Sequence, residues 1–560
     1  MTRPSSLFLP CLALCAVTLC SSAASARDLR ISNVQVLPAA ECAAPEHAKI
    51  ARCIQFDIEW HDSWRDQINW DAVWVFVKYR IGDSTAWGHA TLSEQVHQAP
   101  PGAEILGTRD QKGIFLQRAP GGATAPGGAV TPPDLTKFQA VKVLWMLPVQ
   151  AAKEHAYLTR KGQWMLPEGK QALENASMEM WVSALEMVHV PEGAFYVGDE
   201  GCGPAPGAGA PGCFYDASRP KGPLLITSER ALTVGKGGQL GYRSDDGFAG
   251  DGAGPIPAKF PKGYHAFYGM KYELTQGQYS DFVNAMEGAH KMNRFPFGGQ
   301  GAYRFEIYFT AKKERTALRP ERAANWLSWE DDAAYLDWAA LRPLTELEYE
   351  KLARGPLPPV SGELAWGSAE ALPANIIVGS ESGNIQLNGN VNIDMARQFF
   401  RGGDGGQGPL PGHAFEIVPG EETDRLFSPA RRLFSWENNQ IVMSPARFDR
   451  QSRNVAGRAM EGRSYYGAMQ LSGNLWELTV SVGNKAGRSF DGAHGDGDVG
   501  EHALADVPTW PNRVAEGVSF RGGAWFTDVN RGRVADRFYA SYEYASRSHD
   551  AGCRGARTAP

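Results

Sequence analysis

Residues 325 to 355 read NWLSWEDDAAYLDWAALRPLTELEYEKLARG. Ser328 precedes a first turn that carries Glu330, Asp331 and Asp332, and Ala334, Tyr335 and Trp338 fall on one stripe at helical spacing. A capped, amphipathic surface helix is therefore predicted from Ser328. Arg342, Glu346, Glu348 and Arg354 then gather around a Thr-capped helix start, where ion pairing and capping account for them without chemistry. Upstream, TQGQYSDFVNAM from Thr275 places Tyr279, Phe282 and Val283 on one face, with Thr275 and Gln278 at capping-box spacing. That predicts another amphipathic surface helix.

Outward from these helices the pattern changes. From Arg27 to about residue 180 the apolar runs are short and β-rich, among them RCIQFDIEW, AVWVFVKYR and AVKVLWMLP, and several alternate with a period of two. Separated by turn-forming stretches such as APGGATAPGGAVTPP at 119 to 133, they predict a β-sandwich. HDSWRD, from His61 to Asp66, reads as a solvated turn. From about Trp181 onward strands and helices mix with long Gly/Asp-rich loops at 200 to 262, 385 to 460 and 484 to 516, which are binding loops or insertions.

The chain has 560 residues, enough for two domains. A formal net charge of -6 with both signs scattered leaves no basic stripe for a phosphate backbone, so nucleic acid is not an expected partner. Arg3, an apolar run over roughly 7 to 20 and Ala24-Ser25-Ala26 read as a signal peptide cleaved after Ala26, which implies export to the periplasm or the medium. That run is too short for a membrane span, and none of the later apolar runs is long enough. Leu19 stands where a lipidated cysteine at Cys20 needs a small residue, so lipid anchoring is not expected. Five cysteines follow the signal: Cys42 and Cys53, Cys202 and Cys213 are near-neighbour pairs suited to disulfides, and Cys553 is left over.

A series of motifs in the second part resembles the formylglycine-generating-enzyme (sulfatase-modifying-factor) family over about 380 residues. MVHVPEGAFYVGDE at 187 to 200 is similar to its opening strand, YGMKYELTQGQYSDFVNAM at 268 to 286 to its first strand and helix, and residues 325 to 355 to its R-P-T-E-x-E-x-E-x-A-R-G signature. WGS at 366, GAMQLSGNLWEL at 467 to 478, FRGGAW at 520 to 525 and a final G-x-R at Gly552 follow in the family's order. The resemblance implies a C-type-lectin-like domain over 181 to 560 with an insertion at about 385 to 460, and with the signal peptide over 1 to 26 and the all-β sandwich domain over 27 to 180 the expected chain is α+β. Trp366, Trp476 and Trp525 need no more than a role as core anchors.

The resemblance also implies calcium. Gln470, Gly473, Leu475 and Glu477 match one calcium loop, with Gln470 where the family has Asn, and Asn375 with Ile376 matches a second. Side-chain and carbonyl oxygens of this kind form the hard cage calcium takes. The loop DGAHGDGDVGE at 491 to 501, with His494, offers further oxygens or is simply an acidic loop. The family's oxidase holds copper on a cysteine pair after its G-G-S-x motif. GGAWFTDVNRGRVADR has Thr527 near the first of those positions and no cysteine from Arg521 to Gly552, so copper and oxidation are not expected. No H-x-x-x-H-x-E run supports the family's iron chemistry either. A sulfatase-modifying oxidoreductase, or another metal-dependent member, stands as the alternative function.

Between the framework residues of the C-terminal segment lie Phe526, Thr527, Asp528, Phe538, Tyr539, Ser541, Tyr542, Tyr544, Ser546, Ser548, His549 and Asp550. Rigid aromatic area beside adaptable polar groups is the composition of a binding surface. The layout is similar to the variable proteins of diversity-generating retroelements, and nearly all of these residues are reachable from Asn codons by changing adenines, Glu543 excepted. The function expected is a binding module for a protein, glycan or small-molecule ligand.

Overall fold

The computed structural model describes residues 29–42, 51–61, 63–81, 86–121, 135–146, 178–219, 222–310, 314–320, 322–371 and 462–560, with four short strands and Arg458 between 377 and 458. The signal segment, Asn375, Ile376 and most of the expected insertion lie outside the described residues. The protein is mixed α/β, mostly sheet, with five α-helices among the described residues.

Strands β1 (Arg30–Pro38), β2 (Ala51–His61), β8 (Leu135–Met146) and β5 (Thr91–Gln98) form one sheet in the order β1-β2-β8-β5. A larger sheet begins with β6 (Ala103–Gly107), β7 (Ile114–Arg118), β3 (Asp71–Ile81) and β9 (Met178–Val190), with β4 (Gly88–His89) beside β3. It continues through β10 (Phe267–Met270) and β15 (Gly555–Thr558) to β11 (Arg342–Pro343). The expected division near residue 180 falls within β9, which pairs with β3 along eleven positions on one edge and with β10 on the other. The first part of the chain and the last therefore share one sheet.

The alternation in AVWVFVKYR explains how one strand serves two cores, because successive side chains of a strand point to opposite faces. Val73, Val75 and Val77 pack with Ile54, Phe56, Val141 and Val143 of the four-stranded sheet. Ala72, Trp74 and Phe76 pack with Phe115, Trp181 and Leu185 against the helices. Polar ties reinforce this second face: Trp74 Nε1 donates to the Ala339 carbonyl at 2.9 Å and Lys78 Nζ to that of Trp338 at 2.7 Å.

Helix α1 (Gln276–Ala285) has the predicted capping box between Thr275 and Gln278 and buries Tyr279, Phe282 and Val283. α2 (Gly288–Arg294) follows it. α3 (Trp329–Trp338) is capped by Ser328 with Asp331 as its reciprocal partner. It is not the surface helix expected: Asp331 to Trp338 are all buried, because the sheet covers one side and the C-terminal loops the other. Asp332 is enclosed with neither carboxylate oxygen hydrogen-bonded among the described residues, and burial, with Asp331 beside it, pushes its carboxyl well above the usual range. HDSWRD is also more than a solvated turn. Ser63 Oγ and the Trp64 amide donate to buried Asp71, and Lys271 from the other half bonds Glu186 at 2.8 Å and reaches Asp71 at 3.4 Å.

In α4 (Glu346–Arg354) the local ion pairing expected among Arg342, Glu346, Glu348 and Arg354 is formed by Arg342 and Glu348, whereas Glu346 is paired by arginines from the C-terminal segment. Glu346 accepts from Arg537 at 2.5 Å and Arg521 at 3.2 Å, Glu350 from Arg521 at 2.9 Å and Arg354 at 3.2 Å, and Arg342 forms a fork on Glu348 at 2.7 and 2.8 Å. All are buried. α5 (Lys485–Arg488) opens the loop at 484. Two further strands, β12 (Trp476–Val480) and β13 (Val518–Arg521), pair antiparallel, and β14 (Ala551–Gly552) lies parallel to β12. The pairs Cys42–Cys53 and Cys202–Cys213 are disulfide-bonded, and Cys553 is free and buried.

Candidate functional site

The parallel pairing of β12 with β14 brings Trp476 beside Ala551, and the amide of Trp476 donates to the Asp550 carbonyl at 2.8 Å. Around this seam the predicted surface residues form two aromatic groups. In the first, Tyr539 meets Trp476 at 5.4 Å between ring centroids, Tyr542 at 5.0 Å and Phe538 at 4.7 Å, and Tyr544 stacks on Tyr542 at 5.6 Å. In the second, His549 lies 5.2 Å from Phe526, 5.6 Å from Trp525 and 4.4 Å from Tyr303.

Each group includes residues that the sequence reading missed. Phe248, from the loop at 200 to 262, contacts Tyr542 at 4.8 Å and Phe538 at 6.1 Å, and its backbone exchanges hydrogen bonds with Phe538 and Ser541. Tyr303 and Trp326 close the second group, and both are in the left-handed region, at φ 50° and 59°. Non-glycine residues rarely sit there unless packing holds them, and such positions collect at functional sites. Nothing local in the sequence marks Phe248 or Tyr303, which reach the surface from more than two hundred residues away in the chain.

Not every predicted contact residue faces outward. Ser546 and Asp528 are exposed, with Asp528 Oδ1 capping the turn at Asn530 at 2.9 Å. Thr527 Oγ1 closes a turn on the Ala524 backbone at 3.0 Å, and Ser541 Oγ accepts from Asn484 at 3.4 Å. Asp550 is buried, and its Oδ1 accepts from Ser548 Oγ.

The predicted calcium residues Gln470, Gly473, Leu475 and Glu477 lie at the base of the same seam and are buried, Gly473 in a left-handed turn at φ 97°. Glu477 Oε1 accepts from Arg554 Nε at 2.7 Å, whereas Oε2 has no hydrogen-bond partner among the described residues. Burial pushes this carboxyl up to about 7 against the pull of Arg554. Glu273, absent from the sequence reading, is beside it: its Oε1 accepts from the Leu475 amide at 3.1 Å and its Oε2 from Asn474. Burial first, then the nearby Glu477, raises Glu273 well above the usual carboxylate range. Among the described residues Arg554 pairs with Glu477 alone, its other nitrogens donating to the Met270 and Met469 carbonyls, and the burial that encloses both carboxyls favours their protonated forms.

A separate acidic cluster joins the loop at 491 to 506 to the end of α3. Asp337, Asp496 and Asp506 place ligand-type oxygens within 4.8 Å of one another. Asp337 already accepts from the amides of Asp496 and Asp506 at 3.0 Å each, and burial lifts it to about 7. His494 is not part of this cluster: its Nε2 accepts from the Thr558 amide at 3.0 Å, and burial holds it well below the ordinary imidazole range.

Among the described residues no helix is long and apolar enough to cross a membrane. Neither the known protein-family models nor the curated proteins compared with the chain give a match.

Proposed function

We propose that this chain is an exported binding protein in which a formylglycine-generating-enzyme-like, C-type-lectin-type framework displays an aromatic C-terminal surface to a ligand. The observation that carries this reading is the cluster of Tyr539, Tyr542 and Tyr544 with Phe248 and Phe538, part of it open to solvent, mounted on a base of buried ion pairs. Large rigid rings on a rigid scaffold bind at low entropic cost. The two disulfides are compatible with the oxidising compartment that export implies. The segment would suit diversified display, since Phe538, Tyr542 and Tyr544 take part in the aromatic surface while buried Arg521 and Arg537 hold the frame.

Copper-dependent oxidation has little support. Cys553 is the free cysteine among the described residues, and burial, with Asp332 and Glu477 nearby, pushes its thiol well above the ordinary range, away from the reactive thiolate. Calcium fits better: Glu477 Oε2 is a buried oxygen without a hydrogen-bond partner among the described residues, with Gln470 and the Gly473 and Leu475 carbonyls as the other family positions. Bound there, calcium would supply charge and a structural tie beneath Trp476.

The test is a glycan and peptide array probed with the wild-type chain and with the double variant Tyr542→Ala, Tyr544→Ala. We expect wild-type signals that the variant loses while its melting temperature stays within a few degrees. Identical array patterns for both proteins refute the aromatic surface as the binding site.

A further inference from the structure

The aromatic face has a charge imbalance that narrows the kind of ligand it suits. Phe248, Tyr542 and Tyr544 are 47%, 38% and 37% exposed, large values for such side chains. Phe248 and Tyr542 are 4.8 Å apart and Tyr542 and Tyr544 5.6 Å, so the three form one continuous strip.

The cations around this strip are mostly engaged. Arg243 is held by Asp246, Arg488 forms a fork on Asp251 at 2.7 and 2.9 Å, and Arg531 pairs with Asp536 at 3.1 Å. The carboxylates at its edge are not matched in the same way. Asp245 has a side chain 82% exposed, 4.0 Å from the already paired Arg243. Glu543, exposed between Tyr542 and Tyr544 in the chain and in the left-handed region at φ 52°, accepts from the neutral amide of Asn484 at 3.2 Å. Lys485, next in the chain to Asn484, is exposed. The protein also lays guanidinium groups on neighbouring rings: Arg531 is 3.9 Å above Phe538, and Arg537 is 4.4 Å above Tyr242.

We infer that this strip takes a basic segment of a partner protein, with Arg or Lys side chains lying on Tyr542, Tyr544 and Phe248 and paired to Asp245 and Glu543. Aromatic faces attract cations through their quadrupoles, and nearby carboxylates add attraction of the same sign. A purely apolar segment would desolvate both carboxylates without compensation, and an acidic one would be repelled. The inference rests on the ligand-binding reading of the same surface and adds the chemistry of the ligand.

The experiment measures binding of the full chain to short synthetic peptides of equal length that alternate Ser with Arg, Lys, Glu or Leu. The Arg–Ser peptide should bind, more weakly as salt is added. Its affinity should fall roughly tenfold in Tyr542→Ala, Tyr544→Ala through loss of the ring faces. It should fall about fivefold in Asp245→Asn, Glu543→Gln and rise about twofold in Lys485→Gln through charge alone. The charge variants alter no packed residue, so their result does not depend on refolding of the aromatic strip. If neutralising the two acids leaves affinity for Arg–Ser unchanged, or if this peptide does not bind, the basic-segment inference is overturned. Tyrosine-dependent binding of Leu–Ser or of a glycan would then leave the broader reading standing. Tyrosine variants that change no probe would remove both.

Discussion

Arg537 and Tyr542 are five residues apart and live in opposite physical regimes. Arg537 is fully enclosed, fixed to Glu346 by two hydrogen bonds and stacked on Phe214 at 4.0 Å. Tyr542 is partly exposed and packs on other rings. A desolvated charge tolerates one geometry, because any displacement leaves it uncompensated. A solvated ring tolerates many neighbours. The contrast suggests how a framework can stay rigid while the residues between its anchors are free to serve recognition.

The strongest way to break that contrast is Arg537→Ala. It leaves Glu346 short of a partner and should cost about 3–5 kcal/mol, the usual effect of removing one member of a buried pair. Urea unfolding reads this directly, and a loss below about 1 kcal/mol would mean that the network is not the rigid base described. Calcium tests the layer between frame and surface. A ligand that binds only the folded state adds about 2.7 kcal/mol at a hundred times its dissociation constant. Melting in millimolar calcium should then exceed melting in chelator by several degrees, since roughly 2–4 °C corresponds to 1 kcal/mol in a domain of 150 to 250 residues. Glu477→Gln should abolish the difference, and coincident wild-type curves would rule out the calcium loop.

The pH dependence sharpens the picture away from the aromatic face. Folded Asp337 keeps its proton up to about 7, whereas an unfolded Asp releases it near its ordinary value of 3.8, so the folded state binds more protons across that window. Its contribution is complete below the lower value and is lost as pH rises through about 7, at about 1.4 kcal/mol per pKa unit before screening. Lys78, lowered to about 7 by burial, acts in the opposite sense above that pH, where the unfolded chain holds more protons. Asp337→Asn should therefore flatten the decline between pH 4 and 7, and, because the Asp337 charge helps to hold the proton on Lys78, it should also lower Lys78 further and steepen the rise on the alkaline side. An unaltered profile would show that Asp337 ionises normally. The smallest effect belongs to Tyr544→Ala, which loses one stacked contact and should cost about 0.5 kcal/mol. A cost near that of Arg537→Ala would erase the distinction between frame and surface.

Much of this was readable locally. Ser328, Thr275 and Gln278 marked helix starts because a cap is a contact between residues three apart. The two disulfides were readable from pairs eleven residues apart, and the Arg342–Glu348 pair from a helix start, whereas the partners of Glu346 come from the C-terminal segment. Other residues were misjudged because their environment is built by distant chain. The acidic first turn of α3 suggested a solvated face, yet Asp332 is enclosed with no hydrogen-bond partner for either oxygen among the described residues. Trp64 in HDSWRD looked like part of a surface turn and instead meets Lys271 at 5.2 Å to its ring.

By itself the sequence determined the period of two in β3, the caps of α1, α3 and α4, the aromatic composition of residues 538 to 544 and the absence of cysteine from Arg521 to Gly552. These depend on neighbours within a few residues, and short-range sterics and hydrogen bonding decide them. Only the tertiary structure decided that β9 joins β3 to β10, that Phe248 completes the aromatic strip and that Glu273 lies beside Glu477. Those contacts close loops of many residues. The entropy lost in closing them is recovered from burial summed over the whole core, so no local stretch of sequence carries their signal.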